Sequence, residues 1–127
     1  MKLQDILLVE DDPAIQTVAK MALELVGGFK VRVCSSGEEA LDAARSGTQL
    51  ILLDVMMPGM DGPTVLTRLR ASPDTQQIPV VFMTAKVQAS EIEQLLALGA
   101  LGVIAKPFDA MTLSGTIGEI WERQRPD

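Results

Sequence analysis

Five short apolar runs, each separated from the next by a stretch of helical spacing, constrain this chain more than any other feature. They are Leu3–Val9, Phe29–Cys34, Leu50–Leu53, Val80–Met83 and Leu101–Ala105. Several are apolar without interruption, the pattern of strands covered on both faces in a parallel sheet and not of half-exposed antiparallel ones.

The intervening stretches repeat apolar residues at helical intervals. Ile15, Val18, Ala19, Ala22 and Val26 predict one helix face, with Asp12 as its cap, Pro13 at its start and Gly27-Gly28 as its stop. Ser36 and Glu39 have the spacing of a capping box, opening a helix that runs to about Arg45 and closes at Gly47. Val65, Leu66 and Leu69 mark a third helix after Gly62-Pro63, and Ile92, Leu95 and Leu96 a fourth that stops at Gly99. Leu113, Ile117, Ile120 and Trp121 mark a fifth, with Asp109 as its expected cap. Five strands alternating with five helices predict an α/β domain whose right-handed crossovers cover both faces of a central parallel sheet.

A chain of 127 residues is the size of one domain and buries a core without disulfides. Its single cysteine, Cys34, has no internal partner, and the absence of histidine excludes a histidine-based triad or a His-ligated zinc site. Eleven basic residues against 17 acidic ones leave a net charge of −6, which argues against a phosphate-backbone binder. No apolar run approaches the ~18 residues of a membrane span, and MKLQDILLVEDD is no signal peptide. The expectation is a soluble, cytoplasmic domain with neither membrane nor nucleic-acid partner.

In an open parallel sheet, ligands bind beyond the carboxyl ends of the strands. The residues at those ends are Glu10, Asp11 and Asp12 after the first run, Asp54 after the third, Thr84 after the fourth, and Lys106 and Pro107 after the fifth. The second run ends in Cys34 and Ser35, which offer nothing comparable. Each residue alone has an ordinary reading as a cap or a solvated charge, and Asp12 before Pro13 reads as a cap. Together they say more. Carboxylates converging on one sheet edge repel one another, a divalent cation relieves that repulsion, and an all-oxygen site with few protein ligands suits Mg²⁺. A lysine and a hydroxyl beside them are groups that hold phosphoryl oxygens.

Four pieces then carry a resemblance: ILLVEDDP at 6–13, LLDVMMPGMDG at 52–62, VVFMTA at 80–85 and AKPFD at 105–109. The chain resembles the receiver domain of bacterial two-component response regulators, of the chemotaxis-regulator-like single-domain kind, over essentially its whole length. The D-x-x-M-P-x-M-D-G run is the most specific piece. The resemblance implies a flavodoxin-like, doubly wound sheet in the order 2-1-3-4-5, and one receiver domain over residues 1–127 without an output domain. It implies that Asp54 accepts a phosphoryl group from the phosphohistidine of a histidine kinase or phosphotransfer protein, and that the domain signals onward by protein contacts. It implies that Asp11 ligates Mg²⁺ directly together with Asp54, that Glu10 holds a metal-bound water, and that the Met56 main-chain carbonyl completes the protein's share. Lys106 would pair with the phosphoryl oxygens, Thr84 would be the switch hydroxyl with Ala85 beside it, and the Lys106–Pro107 peptide would be cis. The chain departs from the family at Val103, where Tyr or Phe is common three residues before the signature lysine.

Two rivals fit less well. An Asp-nucleophile phosphohydrolase carries its nucleophile after the first strand in a D-x-D pattern, and a flavodoxin-like cofactor binder needs a Ser/Thr/Gly-rich phosphate loop where Glu10-Asp11-Asp12 stands. A further alternative keeps the receiver but makes it part of a longer regulator or hybrid kinase; Met1 and the short tail Arg123–Asp127 favour the single domain. Met56, Met57 and Met60 are expected to fill space around a tight loop, Cys34 to be buried and inert, and Trp121 to pack in the core.

Overall fold

The computed structural model describes residues 2–45 and 47–123. Met1 and the residues after Arg123, on which the single-domain expectation drew, lie outside them.

Strands β1 (Asp5–Val9), β2 (Lys30–Cys34), β3 (Leu50–Asp54), β4 (Val80–Thr84) and β5 (Gly102–Ala105) form one parallel sheet in the order β2-β1-β3-β4-β5. Helices α1 (Pro13–Met21), α2 (Gly37–Ala43), α3 (Gly62–Arg70) and α4 (Ala89–Ala97) provide the crossovers, and α5 (Leu113–Arg123) follows β5. Side chains alternate across the pleat, so each strand feeds two cores. Ile6, Leu8, Leu50, Leu52, Val81 and Met83 face α1 and α5, packing against Ala19, Leu23, Ile117 and Trp121. Leu7, Val9, Ile51, Leu53, Val80 and Phe82 face the other helices, packing against Ala40, Val65, Leu66, Leu69 and Leu95. Burial on both faces explains the unbroken apolar runs.

The caps follow the sequence closely. The Asp12 carboxylate accepts from the Ala14 and Ile15 amides, and Asp61 does the same for Thr64 at the start of α3. Ser36 Oγ accepts the Glu39 amide, but Glu39 returns its carboxylate to Ser35 N, one residue earlier than a standard box.

Four expectations are corrected. Val18 and Val26 are about half exposed, at 47% and 48%, and Leu23 is buried in their place. For Val26 the reason is a π-helical turn over Ala22–Val26, which needs more residues per turn and rotates the apolar stripe out of register; Val18 precedes that turn, on regular helix. Leu96 is also exposed, so α4 buries Leu95 but not its neighbour. Asp109 does not cap α5 directly: its side chain accepts the Met111 amide, and the helix begins only at Leu113. Helix α2 is shorter than expected, its cap Ala44 turning to extended backbone two residues after Asp42.

Candidate functional site

All five strands run the same way, so their carboxyl ends share one edge of the sheet, and the central strands β1 and β3 are adjacent there. Glu10 follows β1 directly and is 1% exposed; Asp54 closes β3 and is 3% exposed. Glu10, Asp11 and Asp54 each place a carboxylate oxygen within 4.8 Å of the others'. Lys106, which follows β5, reaches across to both buried acids, its Nζ 2.7 Å from Glu10 Oε1 and 3.0 Å from Asp54 Oδ1. The Lys106–Pro107 peptide is cis.

Burial pushes the Glu10 carboxyl above the ordinary glutamate range, against the lowering pull of Lys106 and the Asp12 amide. Burial pulls the other way on the Lys106 ammonium, but its hydrogen bonds to Glu10 and Asp54 outweigh it and hold the lysine above its ordinary value. One ammonium therefore faces a cluster of three carboxylates and pairs with two of them, Glu10 and Asp54. That surplus of negative oxygen donors, with no nitrogen or sulfur among them, fits a hard divalent cation such as Mg²⁺.

The other predicted residues lie around this centre. Thr84 ends β4 beside β3 and is buried; its hydroxyl accepts the Lys86 amide at 3.0 Å and, among the described residues, makes no hydrogen bond to Asp54. Ala85 is exposed on the loop that leads to α4. Met56 lies two residues beyond Asp54 with its side chain 64% exposed, whereas Met57 is buried in the core. The methionines thus divide, and only Met57 fully meets the expectation of packing. Cys34 is buried, and burial raises its thiol pKa.

Two contributors escaped the sequence reading. A Cβ built on Gly62 would sit 2.5 Å from the Asp54 carbonyl oxygen and 3.0 Å from the Phe82 ring, so only glycine lets α3 start this close to the end of β3. The signal was the glycine of the D-x-x-M-P-x-M-D-G run, which reads only as a helix start. Gln16, half-buried on α1, donates from Nε2 to the Glu10 carbonyl and to Ser35 Oγ. No motif marks it.

The fold and this edge define the class. Residues 6–117 match the family model of the response regulator receiver domain, and the chain belongs to that family. It is 41% identical over 120 residues to the transcriptional regulatory protein CpxR of Escherichia coli K12, covering 93% of this chain and 49% of that protein. It is 32% identical over 126 residues to the phosphate regulon transcriptional regulatory protein PhoB of Rhizobium meliloti, covering 98% and 55%. The chain thus spans about half the length of these relatives. Among solved structures, chemotaxis protein CheY4 of Vibrio cholerae superposes with a TM-score of 0.83 at 27% identity, covering 93% of this chain and 98% of that one. The receiver domain of sensor histidine kinase PA1611 from Pseudomonas aeruginosa, solved with a magnesium ion in its active site cleft, superposes with a TM-score of 0.80 at 31% identity, covering 95% and 96%.

The curated relatives are named as transcriptional regulators, so the charge argument against nucleic acid applies to this chain's own surface and reaches no further. Among the described residues, no helix is long and apolar enough to cross a membrane.

Proposed function

We propose that the chain is a phosphoryl-accepting signalling module, acting as a stand-alone response regulator in the cytoplasm, with Asp54 as the acceptor. An Asp54 carboxylate oxygen attacks the phosphorus of a phosphohistidine on a histidine kinase or phosphotransfer protein. The P–O bond forms as the P–N bond breaks, the electron pair leaves on the imidazole, and the product is an acyl phosphate on Asp54. The supporting observation is the buried Asp54 carboxylate held 3.0 Å from Lys106 with Glu10 and Asp11 alongside.

Phosphoryl transfer needs alignment and neutralised oxygens more than covalent help. Asp11, Asp54 and the Met56 carbonyl would hold Mg²⁺, with Glu10 positioned to hold one of its waters. When bound, the ion supplies positive charge against the phosphoryl oxygens. Lys106 supplies the same from the β5 side, exchanging its bond to Asp54 for one to a phosphoryl oxygen. The Thr84 hydroxyl and the Ala85 amide respond to the new charge, and the domain's output is a protein contact, to a downstream protein, and not turnover of a substrate. Its own phosphorylation and dephosphorylation are the only reactions it promotes.

Incubation with a small acyl phosphate tests this. Intact-mass analysis should find one added phosphoryl group with Mg²⁺ and none with excess chelator. Equal labelling in both would overturn the metal-assisted reading. A second reading, favoured by relatives about twice this chain's length, puts the same site in a longer regulator; a coding sequence that continues past Asp127 would establish it.

A further inference from the structure

The last β1–β2 rung pairs Val9 with Cys34, and the Glu10 amide still donates to the Cys34 carbonyl at 3.0 Å. The Glu10 carbonyl receives its hydrogen bond from a side chain instead: Nε2 of Gln16, one turn into α1. A carbonyl only accepts, so the amide nitrogen of Gln16 must face it. The same nitrogen donates to Ser35 Oγ at 3.0 Å, and the Gln16 main-chain amide donates to the Asp12 carbonyl at 2.9 Å. Gln16 therefore ties together β1, α1 and the loop after β2 at the edge where the acids meet.

The consequence falls on Asp11. The peptide unit is planar, so fixing the Glu10 carbonyl oxygen also fixes the Asp11 nitrogen and the direction in which Asp11 leaves the strand. Glu10 has further anchors, since its carboxylate accepts the Asp12 amide at 3.1 Å and pairs with Lys106. The Asp11 carboxylate has none: among the described residues it makes no hydrogen bond or ion pair. Its aim comes from the backbone alone.

We infer that Gln16 is a positioning residue for the divalent-cation site, holding the Glu10–Asp11 peptide plane so that the Asp11 carboxylate points at the shared position with Glu10 and Asp54. This rests on reading those three acids as the Mg²⁺ site. Removing a group that orients a metal ligand from behind typically costs roughly 10- to 100-fold in affinity.

Mg²⁺ titration calorimetry on the parent, Asp11→Ala, Gln16→Ala and Gln16→Leu tests it, at a temperature where circular dichroism shows all of them folded. Alanine suits a half-buried helical position, so at least that Gln16 variant folds even if leucine does not. The parent should bind Mg²⁺ and Asp11→Ala should bind far more weakly. The Gln16 variants should weaken binding about fivefold or more. The nitrogen-15 NMR spectrum of the parent should show both Gln16 side-chain protons shifted, and the Asp11 amide should move in Gln16→Ala. If the parent takes up no Mg²⁺, or Asp11→Ala binds as well, the metal reading falls and this inference with it. If that reading stands but the Gln16 variants bind within about twofold of the parent, Gln16 only supports the fold and the inference is overturned.

Discussion

The ammonium of Lys106 lies 2.7 Å from Oε1 of Glu10, a carboxylate almost wholly removed from water. The same nitrogen reaches Asp54 at 3.0 Å, so a single side chain from β5 neutralises acids from β1 and β3. Before any cation or phosphoryl group arrives, Lys106 is the positive charge that makes this edge tolerable.

Replacing Lys106 with methionine keeps the apolar stem and removes that charge. Two buried carboxylates are then left uncompensated. The metal-free protein should lose about 2–3 kcal/mol at neutral pH, somewhat less than for a fully dry pair because Lys106 is 15% exposed. Glu10 already sits above its ordinary pKa through burial, and losing the lysine raises it further. A carboxyl raised in the folded state stabilises the fold below its unfolded pKa and loses that contribution as pH rises. The deficit of Lys106→Met should therefore shrink between about pH 7 and about pH 4, as urea unfolding at the two values will show.

Asp11 carries the opposite expectation. It adds negative charge to the cluster and, among the described residues, has no partner to offset it. Asp11→Ala should raise metal-free stability by roughly 0.5 kcal/mol or more while weakening Mg²⁺ binding and slowing phosphorylation. Melting curves with and without Mg²⁺ separate the two effects. Clear destabilisation of the metal-free variant would count against a self-repelling cluster.

Gly62 tests the packing beneath Asp54. A methyl group there collides with the Asp54 carbonyl 2.5 Å away, so Gly62→Ala should cost ~1–3 kcal/mol through overpacking. It should also slow phosphorylation by moving the end of β3. A variant as stable and as readily labelled as the parent would show that the α3 start relaxes freely.

Much of this was legible in the amino-acid sequence, for physical reasons. Strands buried on both faces have to be apolar throughout, so β3 and β4 announce themselves. The acids, Thr84 and Lys106 stood out because they interrupt those runs where the chain leaves the sheet. The strand order came only with the family resemblance, since local pattern carries no information on which strands pair. The π turn at Ala22–Val26 was hidden because ALELV suits an ordinary helix equally well, and the change of pitch exposes Val26. Gln16 was hidden because a glutamine one turn into a helix has no distinguishing spacing, and its role depends on where the Glu10 carbonyl ends up.

Val103 bears on how a signal leaves the site. It is half-buried opposite Phe82 in the β4–β5 register, and its β-branch leaves little rotamer freedom. Phe82 is fully buried. The alternative route is the loop after Thr84, where Lys86 N donates to the Thr84 hydroxyl and residues 85–90 are exposed. Structures with and without a phosphoryl mimic and Mg²⁺ should differ in the 84–88 segment and the start of α4, with Val103 unchanged. A large rotamer change at Val103 or Phe108 with that segment still would contradict this route.

The central claim is that Asp54, and no other acid at this crowded edge, accepts the phosphoryl group. Its most direct test is labelling of the parent and Asp54→Asn with a small acyl phosphate and Mg²⁺, followed by reductive trapping of the acyl phosphate and peptide mapping. The parent should carry one modification, on Asp54, and Asp54→Asn should carry none. Labelling of Asp54→Asn to the parent's extent, or a trapped modification on Glu10, Asp11 or Asp12, would contradict the account.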